Sequence, residues 1–172
     1  MKIAIGADHR GYHAKANIRA LLQDLRQEVV DFGTDSIKPM DYPDPAYAAA
    51  QAVQKGECEL GVLFCGTGIG MSITANKLRG IRAALCHDEL TAEMARRHNN
   101  ANILCLPADL VGDALMRRIV EVWLKTPYEG GRHERRVQKI LDIEKSQCAG
   151  GSSIEPGDAG PCGNGIEDLP RR

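Results

Sequence analysis

The chain has 172 residues, enough for one compact domain with a short appendage and too few for two full domains. Hydrophobic residues make up 43% and charged residues 26%, which excludes wholesale disorder. With 22 Lys and Arg against 23 Asp and Glu, the balance gives no global electrostatic reason to expect binding to nucleic acid or a membrane surface, and no apolar stretch is long enough to span a bilayer. The opening MKIAIGADHRG reaches Asp8 and His9 before a signal-peptide core could form, so a cytoplasmic protein is expected. The six cysteines then read as reduced thiols, and none forms a CxxC pair, which weakens a zinc reading.

Short apolar runs alternate with helical spacing along the chain. Residues 2–6 (KIAIG) read as a buried strand, and 11–26 carry a helical stripe through Ala14, Ile18, Leu21, Leu22 and Leu25. A second strand at 28–32 (EVVDF) closes on Gly33, and a polar loop holding Pro39, Pro43 and Pro45 leads to an Ala-rich helix at 46–55. The third strand, 60–64 (LGVLF), runs into Cys65-Gly-Thr-Gly-Ile-Gly70 and a helix to about Lys77. A fourth strand at 82–86 precedes a helix at 88–97, a fifth at 102–106 precedes a helix at 112–124, and a last helix covers 131–145.

This rhythm predicts an α/β fold, a doubly wound open sheet of about five parallel strands with helices on both faces. Near-continuous apolar strands suit a sheet buried on both sides. Ligands in such sheets bind beyond the carboxyl ends of the strands at a topological switch point, which directs attention to Asp8-His9 and to 65–70. The domain is expected over 1–146, and 147–172, rich in Gly, Pro, Ser and Asp without an apolar period, reads as a flexible tail in which Cys148 and Cys162 are free thiols or spectators.

Gly66, Gly68 and Gly70 alternate where a strand opens into a helix, a place for close backbone approach to an anion or, equally, for a tight turn with no ligand. Met71 breaks a dinucleotide fingerprint, and no Gly-Lys-Ser or Gly-Lys-Thr makes a P-loop. Cys65 at the mouth of this turn, with the Thr67 hydroxyl nearby, reads either as a base or nucleophile or as a buried structural cysteine; for Cys86 and Cys105 the structural role is preferred. Asp8 either contacts a ligand or caps the next helix, and His98, followed by Asn99, suits a helix-end charge partner as well as a catalyst. Arg132 and Arg136 share one helix face and form either a solvated basic patch or a phosphate fork.

Taken together, IGADHRGY, VVDFGT, the DYPD at 41–44, CGTGIGMSITANK, GIRAALCHD, RRHNNANIL and YEGGRHERRV resemble, in order over about 2–145, the ribose-5-phosphate isomerase B family, which includes allose- and galactose-6-phosphate isomerases. The resemblance implies a Rossmann-like sheet, a cofactor-free and metal-free aldose–ketose isomerase of the pentose phosphate pathway, and a phosphorylated sugar substrate. It also implies a homodimer, sometimes paired into a tetramer, with active sites across the dimer interface. By the same resemblance Cys65 is the base that moves a proton between C2 and C1, and Thr67 with His98 opens the sugar ring. Asp8, Asn99 and Tyr42 line the sugar pocket, the backbone of Gly66, Gly68 and Gly70 holds the enediolate oxygen, and His9, Arg132 and Arg136 take the phosphate. Some members use a glutamate base where Met71 stands here, which makes this chain the cysteine type. One departure is Pro107-Ala108-Asp109 in place of a Gly-x-Arg pattern whose arginine helps bind phosphate; compensation from Arg117 or Arg118, weaker phosphate binding or a different substrate is expected.

Overall fold

A computed structural model describes residues 1–149. Five strands, β1 (Lys2–Ala7), β2 (Glu28–Asp31), β3 (Leu60–Cys65), β4 (Ala83–Leu85) and β5 (Ile103–Pro107), form one sheet. Its order is β2-β1-β3-β5-β4, and every pairing is parallel. Six helices intervene or follow: α1 (Tyr12–Asp24), α2 (Pro43–Gln54), α3 (Ile69–Ala75), α4 (Glu89–Asn99), α5 (Asp113–Lys125) and α6 (Arg132–Ala149).

The two-residue alternation of the strands sorts the core into two layers. Ile3, Ile5, Val62, Phe64, Leu104 and Leu106 face one way and pack with Ile18 and Leu22 of α1, Ala92 of α4, and Met116, Ile119 and Trp123 of α5. Ala4, Leu63, Cys65, Ile103 and Cys105 face the other way, against Ala46, Ala49, Ala50 and Val53 of α2 and Met71 and Ala75 of α3. Helices therefore cover both faces, as the continuous apolar runs require. The small residues of α2 let it lie close on the sheet, where the Cβ of Ala49 is 3.5 Å from the point a side chain at Gly6 would reach.

Most element boundaries shift by one or two residues from the sequence reading, and two shift by more. The helix expected from 46 begins at Pro43, because a proline in the first turn forfeits only an N–H that has no helical partner and supplies the φ that the helix needs. The last helix continues through residues 147–149, so the compositional shift near Gln147 starts inside α6; the rest of the expected tail, Cys162 and the side chain of Cys148 lie outside the described residues.

The chain starts in the middle of the sheet, moves outward to β2 and then crosses over to β3. The order reverses between β1 and β3, which leaves a crevice above their carboxyl ends. Ala7 of β1 stands beside Phe64 of β3, and Cys65 beside Pro107 of β5, so the loops after three neighbouring strands meet at this edge.

Candidate active site

Asp8 leaves β1 with its amide donating to the Phe64 carbonyl at 3.2 Å, and its side chain is buried. Its Oδ1 accepts from the amides of Arg10 (2.9 Å) and Gly11 (3.0 Å), closing the turn that leads into α1. Asp8 thus closes the turn ahead of α1 and does not cap the helix as one expectation had it, since the N-cap is Gly11 with no side-chain cap bond, and Oδ2 has no hydrogen-bond partner among the described residues. His9 follows, with Nδ1 within 3.2 Å of the Met40 amide. The same nitrogen lies 3.3 Å from the Met40 carbonyl oxygen, so Met40 holds the ring whichever tautomer it takes.

Cys65 ends β3 on the α2–α3 side of the sheet. Its Sγ accepts a hydrogen bond from the Gly68 amide at 3.1 Å. Gly68 adopts φ of +73°, and a Cβ there would stand 2.5 Å from Leu85 Cδ1, so the turn that aims its amide back at the sulfur needs glycine. Thr67 lies exposed on the outside of the turn, its Oγ1 accepting from the Ile69 amide at 3.4 Å. Tyr42, just before α2, lays its ring on Gly70: a Cβ at that glycine would meet the ring at 2.5 Å.

The other cysteines differ from Cys65. Burial pushes the Cys86 thiol up to about 11 and that of Cys105 well above its ordinary value, and it raises Cys58 as well. Of the four cysteines whose side chains are described, Cys65 alone receives a backbone N–H. The sequence expectation for Cys86 and Cys105 as packing residues agrees with these surroundings.

The structure does not bring every expected residue to this edge of the chain. α4 starts beyond the carboxyl end of β4 and runs back, antiparallel to the strands, to the start of β5. His98 and Asn99 at its end therefore lie at the amino edge of the sheet, roughly the length of a six-residue strand, about 20 Å, from Cys65. Arg132 and Arg136 belong to the same remote group, because His133 between them stacks on His98 with ring centroids 4.1 Å apart and planes 4° from parallel. A sequence gives spacing along the chain, and the return direction of α4 sets this separation.

The far group is built as carefully as the near one. Asn100 ends α4 in the left-handed region (φ +47°), which asparagine tolerates. Arg82 donates to the carbonyls of Asn99 (3.1 Å) and Asn100 (2.8 Å), neutralising the helix end where orphan carbonyls gather. Glu129 pairs with Arg97 at 3.0 Å, and Arg132 Nε donates to His133 Nε2 at 3.2 Å. Burial, then the neighbouring His98 and Arg132 charges, hold the His133 ring below its ordinary value.

Ligand atoms of His98, Glu129 and His133 fall within 4.8 Å of one another, the closest approach to a metal-binding set among the described residues. The arrangement fits a cation poorly. Parallel stacked rings aim their nitrogen lone pairs along parallel planes and not at one point, and guanidinium groups already occupy Glu129 and His133 Nε2.

Asp109, the position of the sequence departure, does not meet Arg117 or Arg118. Its Oδ2 accepts from Arg10 Nε at 2.6 Å, while Arg118 pairs with Glu89 at 2.7 Å. Sequence reasoning passed over Arg10 and His133; the signal for each was its place beside a residue already singled out.

A model of the family described as Ribose/Galactose Isomerase matches residues 3–140. The chain belongs to the ribose/galactose isomerase family. It is 46% identical over 144 residues to a protein named ribose-5-phosphate isomerase B of Escherichia coli (strain K12), covering 84% of this chain and 97% of that one. It superimposes on a solved structure of Clostridium thermocellum ribose-5-phosphate isomerase B with a TM-score of 0.84 and 50% identity, over 86% of this chain and 99% of that one. It also superimposes on Mycoplasma genitalium ribose-5-phosphate isomerase B, solved with bound ribulose-5-phosphate, with a TM-score of 0.81 and 44% identity over 84% and 96% of the two chains. The fold of this isomerase-family chain is thus that of its relatives, with 96–99% of each of these three chains covered.

Proposed function

We propose that this protein interconverts ribose 5-phosphate and ribulose 5-phosphate without a cofactor, as a step of the pentose phosphate pathway in the cytoplasm. The observation that carries the reading is Cys65: a sulfur at the sheet's switch point, fixed by the Gly68 amide at 3.1 Å inside a glycine turn. No helix among the described residues is long and apolar enough to cross a membrane, which agrees with that compartment.

In this reading the Cys65 thiolate removes the proton from C2 of the open-chain aldose. The electron pair forms the C1–C2 double bond of an enediolate, and the aldehyde oxygen takes up the negative charge. Backbone amides from Gly66 to Gly70 stabilise that oxygen as charge develops. The thiol then returns the proton to C1 while the C2 hydroxyl proton passes to the negatively charged C1 oxygen, leaving the ketose with a C2 carbonyl and a C1 hydroxyl. Thr67 and His98 open the ring beforehand, Asp8, Tyr42 and Asn99 hold the sugar, and His9, Arg132 and Arg136 hold the phosphate, whose binding fixes the reacting carbons.

Because Cys65 and His98 lie at opposite edges of one sheet, this assignment requires a second copy of the chain. We place the active site across a homodimer, with Cys65 from one subunit and His98 from its partner. Ile69 (52% exposed) and Ile73 (56% exposed), one turn apart on α3 beside the Cys65 turn, support a protein surface that is covered there.

The second reading is the same chemistry on a six-carbon aldose phosphate, favoured by the family's own breadth and by Asp109. Purified protein is expected to convert ribose 5-phosphate to ribulose 5-phosphate with a kcat/KM at least about tenfold above that for allose 6-phosphate. A reversed ratio would move the substrate to the six-carbon class, and no turnover of either would overturn the isomerase reading.

A further inference from the structure

The loops after β1, β3 and β5 meet above Cys65, and one cation stands on their rim. Arg10 follows Asp8 and His9, and its backbone is pinned there by the Asp8 carboxylate at 2.9 Å. Its Nε donates to Asp109 Oδ2 at 2.6 Å across 99 residues of sequence. Asp109 is held in turn by the backbone, its amide donating to the Gly66 carbonyl at 3.0 Å. The pair roofs Gly66 so closely that a Cβ at that glycine would sit 2.5 Å from Asp109 Oδ2 and 2.9 Å from Arg10 Nε.

This pair differs from an ordinary surface bridge in what it leaves free. Asp109 takes the Nε–H only, and the two terminal amino groups of the guanidinium have no hydrogen-bond partner among the described residues. The side chain is 58% exposed. Its neighbour His9 is held by Met40 through Nδ1, which leaves Nε2 without a hydrogen-bond partner among the described residues. A planar fork with its Nε anchored and its amino edge free is oriented for two oxygens of one tetrahedral anion.

We infer that Arg10 is a phosphate-binding residue of this protein and that Asp109 is its positioning residue, so that the chain supplies a guanidinium from the β1 turn to the phosphoryl end of its substrate. The assignment rests on the reading of this edge as a sugar-phosphate site. Asp109 costs some attraction for an anion because its own charge lies beside the fork; in return it holds a flexible side chain in its binding geometry, and preorganisation lowers the entropy lost on binding. The two effects have opposite signs, so substitution at Asp109 tells them apart.

The test measures inorganic phosphate binding by calorimetry and ribose 5-phosphate kinetics on the full-length protein. Arg10→Ala is expected to weaken phosphate binding by about tenfold or more and to raise KM by a similar factor, with kcat within about threefold of the parent. Arg10→Lys recovers only part of that loss, since an ammonium lacks the fork. Asp109→Asn weakens phosphate binding by about threefold, and the double variant Arg10→Ala/Asp109→Arg regains affinity over Arg10→Ala by restoring a guanidinium on the same rim. Unchanged phosphate affinity in a folded Arg10→Ala protein overturns the inference, as does a parent protein that binds no phosphate. Tighter binding in Asp109→Asn overturns the positioning role. Arg10-dependent phosphate binding in a protein that turns over neither ribose 5-phosphate nor allose 6-phosphate leaves Arg10 in place and removes the isomerase reading instead.

Discussion

The two edges of the sheet are constructed by different means. At the carboxyl edge, the Cys65 turn is shaped by backbone: Gly68 at positive φ, an amide aimed at sulfur, and Tyr42 lying flat on a residue without a side chain. At the amino edge, the His98 group is shaped by side chains: two stacked imidazoles, guanidinium contacts from Arg82 to carbonyls and from Arg97 to Glu129, and a hydrogen bond from Arg132 to the His133 ring. The first offers preorganised N–H donors and one sulfur; the second offers imidazole and positive charge. In the proposed isomerisation neither edge holds the full set of groups, and each would be half of a site facing a different copy of the chain.

The most severe test removes the sulfur from the first half. Cys65→Ala is expected to lower kcat by about 10²- to 10⁴-fold, the range for loss of a general base, with KM little changed. Cys86→Ala serves as the control within the same sheet, because burial pushes the Cys86 thiol to about 11 and out of use as a base at neutral pH. Initial rates of ribulose 5-phosphate formation decide between them. Equal activity in Cys65→Ala and the parent would strip the carboxyl edge of its chemical role.

A second experiment asks whether the halves belong to different subunits. Cys65→Ala and His98→Gln proteins, each nearly inactive alone, are mixed and allowed to exchange subunits. Random pairing makes half the dimers hybrid, and each hybrid has one site with both residues intact, so the mixture should recover about a quarter of parental activity. Hybrid dimers seen by native mass spectrometry without recovered activity would place the two residues in one subunit's site and break the comparison drawn here.

The difference between the edges also explains what could be read without coordinates. KIAIG, LGVLF and NILCL were legible as strands because both faces of the sheet are covered, so every position after the opening Lys2 and Asn102 of the first and last is apolar. The Cys65 turn was legible because its parts are consecutive in the chain: the thiol, the glycines and the strand-to-helix change sit within six residues. Pro43 and Pro45 disguised the start of α2, since the same residues mark a loop or a first helical turn depending on whether the following amides find carbonyls. The amino edge was legible only as separate pieces. That His98 lies on His133 depends on α5 carrying the chain back along α4, and that Arg10 meets Asp109 depends on β1 and β5 flanking β3; local pattern encodes neither. The resemblance supplied the residues of both halves, and the topology supplied the reason that one chain cannot join them.

The smallest effect lies in the stacked imidazoles, which give the amino edge a pH sensitivity of its own. The His133 side chain is 4% exposed, faces His98 at 4.1 Å, receives Arg132 at 3.2 Å, and has Glu129 Oε1 3.9 Å from Nε2, with Arg136 on the same helix. Burial first, then the charges of His98, Arg132 and Arg136, disfavour its protonation, and Glu129 opposes them in part. The folded state therefore binds His133's proton less readily than the unfolded chain, whose value is about 6.5. Between that value and the lower folded one, the unfolded state carries more protons, so stability rises with pH in this window. The contribution is fully present above about pH 6.5 and is lost as the pH falls through the folded value. Melting temperatures at fixed protein concentration should thus drop further between pH 7.5 and 5.5 in the parent than in His133→Phe, which keeps a stacked ring without a titrating group. Equal drops would mean that the folded chain does not hold the His133 ring below its ordinary value, and the amino edge would then contribute placed charge alone.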